Sequence, residues 1–288
     1  MNSRALTAAD ALSRRRTTNT QPSLARNVVT WLRRRKYALI SATAVLLFVL
    51  LWQLCGSLHW VDALLLPPPS EILGTAAELI SNGYRQTPLW QHFFISVARA
   101  SAAFVVAVGA GVPLGLGMGL SPTLAAALNP FVQFLRPLPK IALIPLVIVW
   151  FGIGESAKFF LIFISTFLSV VVGAAAAVLG VSQARLRAAQ TLGATHHQIF
   201  AFVVLPNALP ELFTSVRLSI GIGWTSLIAA EMVAANSGLG WMVINAGSYL
   251  RTDVVLLGIV LLGLTGYFFD WALVQLQRRF VPWAGKDA

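Results

Sequence analysis

The 288-residue chain has few charged residues and a single cysteine. Only 11% of its residues are charged and 10 are acidic, whereas 57% are hydrophobic. Cys55 cannot form a disulfide within the chain, and its place in an apolar run is typical of a packing residue. A chain this poor in charge does not suit one soluble domain around a single core. We interpret it as an integral membrane protein.

Several catalytic patterns are also missing from the sequence. It contains no glycine-rich loop ending in Lys followed by Ser or Thr, the pattern that holds nucleotide phosphates. It contains no Ser with a membrane-buried His, no paired aspartates and no His-Glu zinc motif, which disfavours an intramembrane enzyme. His196 and His197 are adjacent and cannot share one helix face, so no metal site is expected there. We predict no catalytic residue and no metal ligand.

The positive charge of the chain is concentrated at its N-terminus. Residues 1–36 contain nine Lys or Arg and one acid, Asp10, and therefore carry +8 of the total net charge of +11. This basic run ends directly against an apolar segment, which predicts a cytoplasmic tail that contacts anionic lipid rather than nucleic acid. Residues 1–25 lack periodicity and are predicted to be flexible. The first apolar run is long enough to span, which disfavours a cleaved signal peptide.

The apolar blocks are long and do not alternate with polar residues, so they favour membrane-spanning helices over a β-barrel. The fold class is predicted to be all-α, polytopic, with about six transmembrane helices. These helices are expected at residues 37–56, 92–119, 123–150, 156–179, 209–233 and 254–276. Pro137, Pro139 and Pro145 break the third one. Two shorter pieces, one of them re-entrant, remain an alternative for that segment.

Six crossings from a cytoplasmic N-terminus also place Arg185, Arg187 and the basic C-terminal tail, residues 277–288, in the cytoplasm. The external parts are then a segment at 57–91, with a surface helix expected after Ser70, and a loop at 236–253. Residues 236–240 are expected to form an outward turn, which either meets a partner or is a plain loop.

One segment between two apolar blocks, residues 187–206, is too short and too polar to span. Its sequence is RAAQTLGATHHQIFAFVVLP. Gly193 permits a sharp turn between two short helices, and Pro206 begins the return to the membrane. Apolar residues recur after the turn with helical spacing, which predicts an amphipathic docking element. A side chain at position 193 is expected to clash at the docking turn.

This segment resembles the cytoplasmic EAA motif of ABC-importer permeases, in which two small residues precede a glycine and a Leu-Pro pair follows. The matching residues are Ala188, Ala189, Gly193, Leu205 and Pro206, and we assign Ala194, beside the turn, to the same coupling surface. Two positions depart from the motif: Arg187 replaces its acidic residue, which reverses a charge, and Val203 replaces an isoleucine. The coupling loop is expected at 183–206.

The resemblance extends from about residue 64 to the C-terminus. The strings LLLPPPSEIL, RPLPKIALIPLVIVWFGIGE, AAEMVAANSGLGWMV and YLRTD look like the permease branch that imports taurine, aliphatic sulfonates, nitrate and related anions. The tail RRFVPWAGK is most similar to taurine permeases. The resemblance implies a type I, MetI-like transmembrane domain at 92–276 in a bacterial inner membrane.

The resemblance also implies partners. Two copies of the chain would form the pathway, two ATP-binding subunits would bind ATP and magnesium beneath it, and a periplasmic binding protein would deliver the substrate. No cofactor is then expected in this chain. Import of nitrate or another small organic anion is one alternative. An ion-gradient-driven secondary transporter is another, since broken helices and buried charges suit it as well.

Ionisable residues inside the predicted spans are costly and call for a partner or water. The candidates are Arg99, Arg136, Lys140, Arg217, Glu231 and Asp270. The topology places Arg99 and Glu231 toward the outer side and Arg217 and Asp270 toward the inner side. These positions allow two ion pairs at two depths.

Arg217, Trp224 and Glu231 are spaced by seven residues and lie on nearly one face of the fifth span. Either they line the pathway at a dimer axis, where Arg217 meets a sulfonate or carboxylate and Trp224 shapes a gate, or they form an inter-helix seam. In the second span, glycines at 111, 115 and 119 predict close helix contact. Glu155 and Lys158 are interpreted as a surface pair.

Overall fold

The computed structural model describes residues 24–58 and 60–284, without the side chains of 24–35, 233 and 234. The flexible tail predicted at 1–25 lies almost wholly outside this range. Regular structure in the described part is helical, apart from an isolated bridge between Tyr84 and Thr87. The helices are α1 (Leu24–Ser57), α2 (Pro69–Ser81), α3 (Leu89–Leu120), α4 (Pro122–Leu135), α5 (Ile144–Phe151), α6 (Glu155–Leu179), α7 (Gln183–Thr191), α8 (His196–Ile199), α9 (Leu205–Ala234), α10 (Leu239–Ser248) and α11 (Thr252–Phe280). The all-α prediction is confirmed.

Five apolar stretches in the described residues are long enough to cross a membrane: Lys36–Ser57, Leu89–Leu120, Glu155–Leu179, His196–Met232 and Thr252–Phe280. A sixth is available if Pro122–Leu135 and Lys140–Phe151, which meet at 93°, count as one broken span. The chain divides into two units, Met1–Val61 and Asp62–Ala288. In the described residues, the first unit consists largely of α1, and the second contains α2 to α11.

Helices α3 and α6 pack closely along a row of glycines. A Cβ at Gly111 would lie 2.9 Å from Val170 Cγ1, and one at Gly119 would lie 2.6 Å from Val178 Cβ. Only residues without a side chain allow this approach, so the predicted close helix contact is confirmed. Because the contacts advance in the same direction along both helices, α3 and α6 are parallel.

This parallel arrangement settles the path of the broken segment. The chain leaves the C-terminal end of α3 and must return to the N-terminal end of α6, so α4 and α5 together run once along the bundle. The broken pair therefore acts as one crossing rather than a re-entrant loop. The proline break predicted in the third span is confirmed, and it falls at residues 136–139.

Two of the predicted intramembrane charges lie at this break. Lys140 Nζ donates hydrogen bonds to the carbonyl oxygens of Arg136, at 2.9 Å, and Leu138, at 2.8 Å. These carbonyls are free because the helix ends there. Arg136 itself is exposed, so the prediction that it is a buried charge is wrong. Its position outside the packed helices follows from the proline break.

Helix α9 runs antiparallel to α6, and α11 runs antiparallel to α9. Gly223 of α9 packs against Phe104 of α3 and Thr166 of α6, where a Cβ would come 2.6 Å from Phe104 Cε1. Further along, the indole Nε1 of Trp224 donates to the carbonyl of Leu262 in α11, at 3.2 Å. With the broken pair α4–α5 counted as one crossing, successive crossings from α3 to α11 thus alternate in direction, with α7 and α8 at one end of the bundle and α10 at the other.

At the end of the bundle that carries α10, the structure differs from two of our expectations. The surface helix predicted after Ser70 exists, but it begins at Pro69 and has no side-chain cap. Pro at the first helical position needs no N–H partner there. Residues 236–240 do not form an outward turn, because Leu239 and Gly240 are buried and begin α10.

Candidate functional site

The predicted coupling segment forms a helix, a glycine turn and a second helix. Gly193 has φ +79° and follows α7, and the N–H of Ala194 donates to the carbonyl of Ala189 at 3.1 Å. Thr195 and Gln198 then form a capping box that starts α8. The positive φ is a conformation that glycine adopts without strain. The turn predicted at Gly193 is confirmed.

The coupling segment presents an exposed surface. Leu192, at the tip of the turn, has 87% of its surface exposed, and Phe202 is also exposed. Of the predicted coupling residues, Ala188 and Gly193 are exposed, and those at 189, 194, 205 and 206 are half-buried. An exposed apolar tip is typical of a surface that binds another protein.

The second half of the coupling segment is continuous with α9. Residues 196–232 form one helical stretch with a π turn at Phe200–Val204. Pro206 has no N–H to donate into a regular ladder, and the π turn ends two residues before it. Our expectation of a separate short helix followed by a span from residue 209 is therefore wrong.

Hydrogen bonds fasten this continuous helix to its surroundings. The guanidinium of Arg185 in α7 donates to Asn207 Oδ1, and Asn207 Nδ2 donates to the carbonyl of Val203 at 2.6 Å. Trp283, beyond α11, donates its indole N–H to the carbonyl of Pro206 at 3.2 Å. Movement of the coupling segment would therefore be transmitted directly to α9.

At the opposite end of the bundle, the carboxylate of Glu231 is completely buried. Ser96 Oγ lies 2.8 Å from its Oε1, Arg99 Nη1 donates to Oε1 at 2.7 Å, and the N–H of Gly240 donates to Oε2 at 2.8 Å. A buried carboxylate is tolerated only when charged and hydrogen-bonding partners surround it. Glu231 therefore joins α3, α9 and the start of α10.

Arg99 connects Glu231 to a second carboxylate. Its Nε and Nη2 donate to the two oxygens of Glu155, at 2.5 and 2.7 Å, and Lys158 Nζ donates to Glu155 Oε1 at 2.8 Å. Only 5% of the Lys158 side chain is exposed. The interpretation of Glu155 and Lys158 as a simple surface pair is therefore wrong. Sequence spacing showed the local pair but not the distant Arg99.

His92, which the sequence reasoning missed, is buried beside this network. Its Nδ1 accepts the N–H of Gly238 at 3.1 Å, which places the ring proton on Nε2, 3.4 Å from the carbonyl of Tyr84. The imidazole stacks on Trp241 with 5.7 Å between ring centroids. The Tyr84 hydroxyl donates to Asn245, and burial raises the pKa of Tyr84 above its usual 10.0. These contacts hold α10 against α3.

The second predicted ion pair lies nearer the coupling segment. Arg217 donates from Nε and Nη2 to the two carboxylate oxygens of Asp270, both at 2.9 Å. Arg217 and Asp270 line a cavity of about 170 Å³ together with Trp224. Both ion pairs that the sequence allowed are present in the structure. Arg217, Trp224 and Glu231 each contact other helices of the chain, and their role in lining a pathway stays a prediction.

Removing Asp270 should leave Arg217 without its carboxylate partner. We expect Asp270→Ala to destabilise the purified protein by at most about 1 kcal/mol, because both side chains are partly exposed. Arg217→Met combined with Asp270→Leu should recover this loss, since no unpaired charge then remains. Thermal unfolding of the two variants and the wild type checks this. A double variant less stable than Asp270→Ala would contradict the pairing.

Known proteins with similar sequences identify the family. The family model described as the inner membrane component of binding-protein-dependent transport systems matches residues 111–282. The chain belongs to this family. Its members work with an ATP-binding subunit and a substrate-binding protein. The chain is accordingly a multi-pass inner-membrane permease of a binding-protein-dependent ABC importer.

Relatives within this family are named for different substrates. The chain is 44% identical to the taurine transport system permease protein TauC of Escherichia coli K12, covering 86% of the chain and 90% of TauC. It is 37% identical to a putative aliphatic sulfonates permease, SsuC, of the same organism, covering 82% and 88%. The bicarbonate permease CmpB of Synechocystis is 29% identical, covering 88% and 92%.

A solved structure supports the fold of this permease. The inward-facing MetNI methionine ABC transporter aligns with a TM-score of 0.56 and 23% identity, covering 66% of this chain and 95% of that one. At this identity the likeness shows the fold alone. The expected MetI-like permease fold is confirmed. Among the described residues, no group of three or more His, Cys, Asp or Glu could hold a metal ion.

Proposed function

We propose that this permease imports taurine or a related sulfonate into the cytoplasm by ATP-driven alternating access. The observation that carries the proposal is 44% identity to a taurine permease over 86% of the chain. The buried guanidinium of Arg99, whose Nε and Nη2 hold a carboxylate in the structure, is consistent with an anionic substrate. Relatives named for aliphatic sulfonates and bicarbonate make another small anion the alternative.

ATP hydrolysis is assigned to a separate ATP-binding subunit that also binds magnesium, so this chain needs no cofactor. The turn at Gly193, with Ala188, Ala189 and Ala194 beside it, would enter a groove on that subunit. Leu205 and Pro206 begin α9, and the continuity of residues 196–232 supports a lever that moves α9 when the ATP-binding subunits close. The coupling role of these residues rests on their match to the family motif and on this geometry.

The proposed assembly contains two copies of the permease with the pathway between them. The end that carries α10 would face the periplasm and meet the binding protein, while both termini and the coupling segment would face the cytoplasm. The basic residues 1–36 would then contact anionic lipid headgroups. No part of this assembly requires nucleic acid.

Deleting the gene should abolish taurine uptake in a host that lacks other sulfonate importers. We expect no growth with taurine as sole sulfur source and at least about a tenfold loss of radiolabelled taurine uptake, because no alternative route crosses the membrane. Re-expression from a plasmid should restore both. Unchanged growth and uptake in the deletion strain would overturn the substrate assignment.

The energy source and the substrate class need separate controls. Uptake that persists after ATP depletion, while the proton gradient is maintained, would instead support an ion-gradient-driven transporter. Binding of taurine, other sulfonates and nitrate to the cognate periplasmic protein would decide among the anions. Nitrate binding without sulfonate binding would replace the proposed substrate with its main alternative.

A further inference from the structure

The N–H donors of the Arg99 guanidinium fall into two groups. One group is held by buried partners, and the other binds an exposed carboxylate that a ligand can replace. Nη1 donates to the fully buried Glu231, at 2.7 Å, and to the carbonyl of Ser237, at 2.8 Å. Nε and Nη2 point the other way, to Glu155. This second pair of donors forms a planar fork that matches any carboxylate or sulfonate. The contacts of Nη1 with Glu231 and Ser237 fix the orientation of this fork, so it is preorganised to bind an anion.

Glu155, which now occupies the fork, is poorly enclosed. Its side chain is 64% exposed, whereas 10% of Arg99 and 5% of Lys158 are exposed. In the described part of the chain, its side-chain hydrogen bonds go to these two cations. Gly152 and Gly154 precede it, and a Cβ at either would meet no atom within 4 Å. The carboxylate can therefore leave the fork without disturbing the packed helices, and its departure uncovers both cations.

A cavity of about 470 Å³ adjoins Glu155. Its walls are mainly aromatic: it is lined by Val106, Phe151, Glu155, Ser156, Phe159, Phe160 and Phe163. Several of these rings are ordered in stacks, for example Phe151 on Phe160 with 5.0 Å between centroids. Aromatic faces attract an ammonium group, and the cavity has more than enough room for a two-carbon sulfonate. The exchangeable carboxylate thus borders a space in which a small substrate can bind.

We propose that Arg99, Glu155 and Lys158 form a binding site for a small zwitterion with a sulfonate at one end and an ammonium at the other. The sulfonate replaces the Glu155 carboxylate on Nε and Nη2 of Arg99, and the freed carboxylate accepts the ammonium of the same molecule. This inference rests on the proposed import of taurine and deepens it. It means that the permease selects the substrate in addition to the binding protein.

The charge balance of the network favours a zwitterion over a simple anion. Two cations, Arg99 and Lys158, face two carboxylates, Glu155 and Glu231, so the site is neutral when empty. A zwitterion leaves it neutral. A monoanion that displaces Glu155 would give the site one uncompensated negative charge, because the freed carboxylate gains no cation in place of the Arg99 fork. Substrates that lack the ammonium should therefore bind more weakly.

Thermal unfolding of the complete transporter tests this site. The permease, with its ATP-binding subunit in lipid nanodiscs, is heated with taurine, ethanesulfonate or ethylammonium, each at millimolar concentration. Ligands that bind the folded state raise the unfolding temperature. For the wild type we expect half-maximal stabilisation at a taurine concentration at least tenfold lower than that of ethanesulfonate or ethylammonium.

Variants of Glu155 should remove the preference for taurine, whereas a variant of Arg99 should abolish stabilisation by either sulfonate. In Glu155→Ala, ethanesulfonate should stabilise at least as well as taurine, since both cations are uncovered and the ammonium has lost its partner. Glu155→Gln repeats the test with the side-chain size retained. In Arg99→Lys, which keeps a charge beside Glu231 but loses the fork, stabilisation by either sulfonate should disappear. Glu71→Ala removes an exposed carboxylate on α2 and should keep the wild-type preference.

Uptake by the same wild-type complex, with its binding protein and ATP in proteoliposomes, separates the two levels of the proposal. Absence of ATP-driven taurine uptake would overturn the proposed function. Normal uptake together with an unchanged ligand preference in both Glu155 variants would overturn only the inference about this site. Normal uptake with the expected reversal of preference would support both.

Discussion

Glu231→Gln is expected to destabilise the permease by about 3–5 kcal/mol and to abolish transport, because it removes the charge that compensates the nearly buried Arg99. The amide cannot repeat the contacts of the carboxylate. Its NH₂ would face a donor, either Arg99 Nη1 or the N–H of Gly240, wherever the amide is turned. Thermal unfolding of the purified transporter and taurine uptake measure the two effects.

Glu78→Gln is the matched control for this substitution. It makes the same chemical change at an exposed carboxylate of α2 whose oxygen lies 3.9 Å from Arg251. We expect a change within about 0.5 kcal/mol there. Equal stability of the Glu231 and Glu78 variants would show that the buried network contributes little to the fold.

Gly193→Val should reduce ATP-driven uptake at least about tenfold and weaken co-purification with the ATP-binding subunit. A β-branched residue is strained at φ +79°, so the turn between α7 and α8 would change shape. We expected a clash from the sequence, but within this chain a Cβ at Gly193 meets no atom within 4 Å. The cost within the chain is therefore backbone strain.

Two controls isolate this effect. Gly193→Asn should retain most transport, since asparagine tolerates a left-handed conformation better than other residues. Gly74→Val places the same side chain in α2 at a glycine that also has open space around it, without a positive φ. If Gly193→Val and Gly74→Val transported equally well, the turn geometry would not matter for coupling.

Much of the charged framework was predictable from the sequence. Arg99 and Glu231, and likewise Arg217 and Asp270, were paired because an ionisable side chain in a span requires a partner at the same depth. Both pairs are present in the structure. Arg136 followed the same reasoning and failed, since the proline break placed it at an exposed helix end. The predicted depth of a residue in the membrane did not show whether its charged side chain would be buried.

The rest of the network around Glu231 depends on contacts between distant residues. Glu155 and Lys158 have the i, i+3 spacing of an ordinary surface pair, and nothing local indicates that Arg99 reaches Glu155 from 56 positions away. His92 resembles a single polar residue at the start of an apolar span. Its partner, Gly238, lies 146 positions away in a segment that looked like an open turn.

The sequence by itself determined the all-α class, the break in the third crossing and the glycine turn of the coupling segment. It could do so because hydrophobic length, proline and glycine act locally on the backbone. Only the tertiary structure decided that α3 and α6 are parallel, that α8 continues into α9, and that Arg99 is shared between Glu231 and Glu155. Those features arise where side chains from separate helices meet, and the energy of such contacts depends on burial and geometry that no single segment encodes.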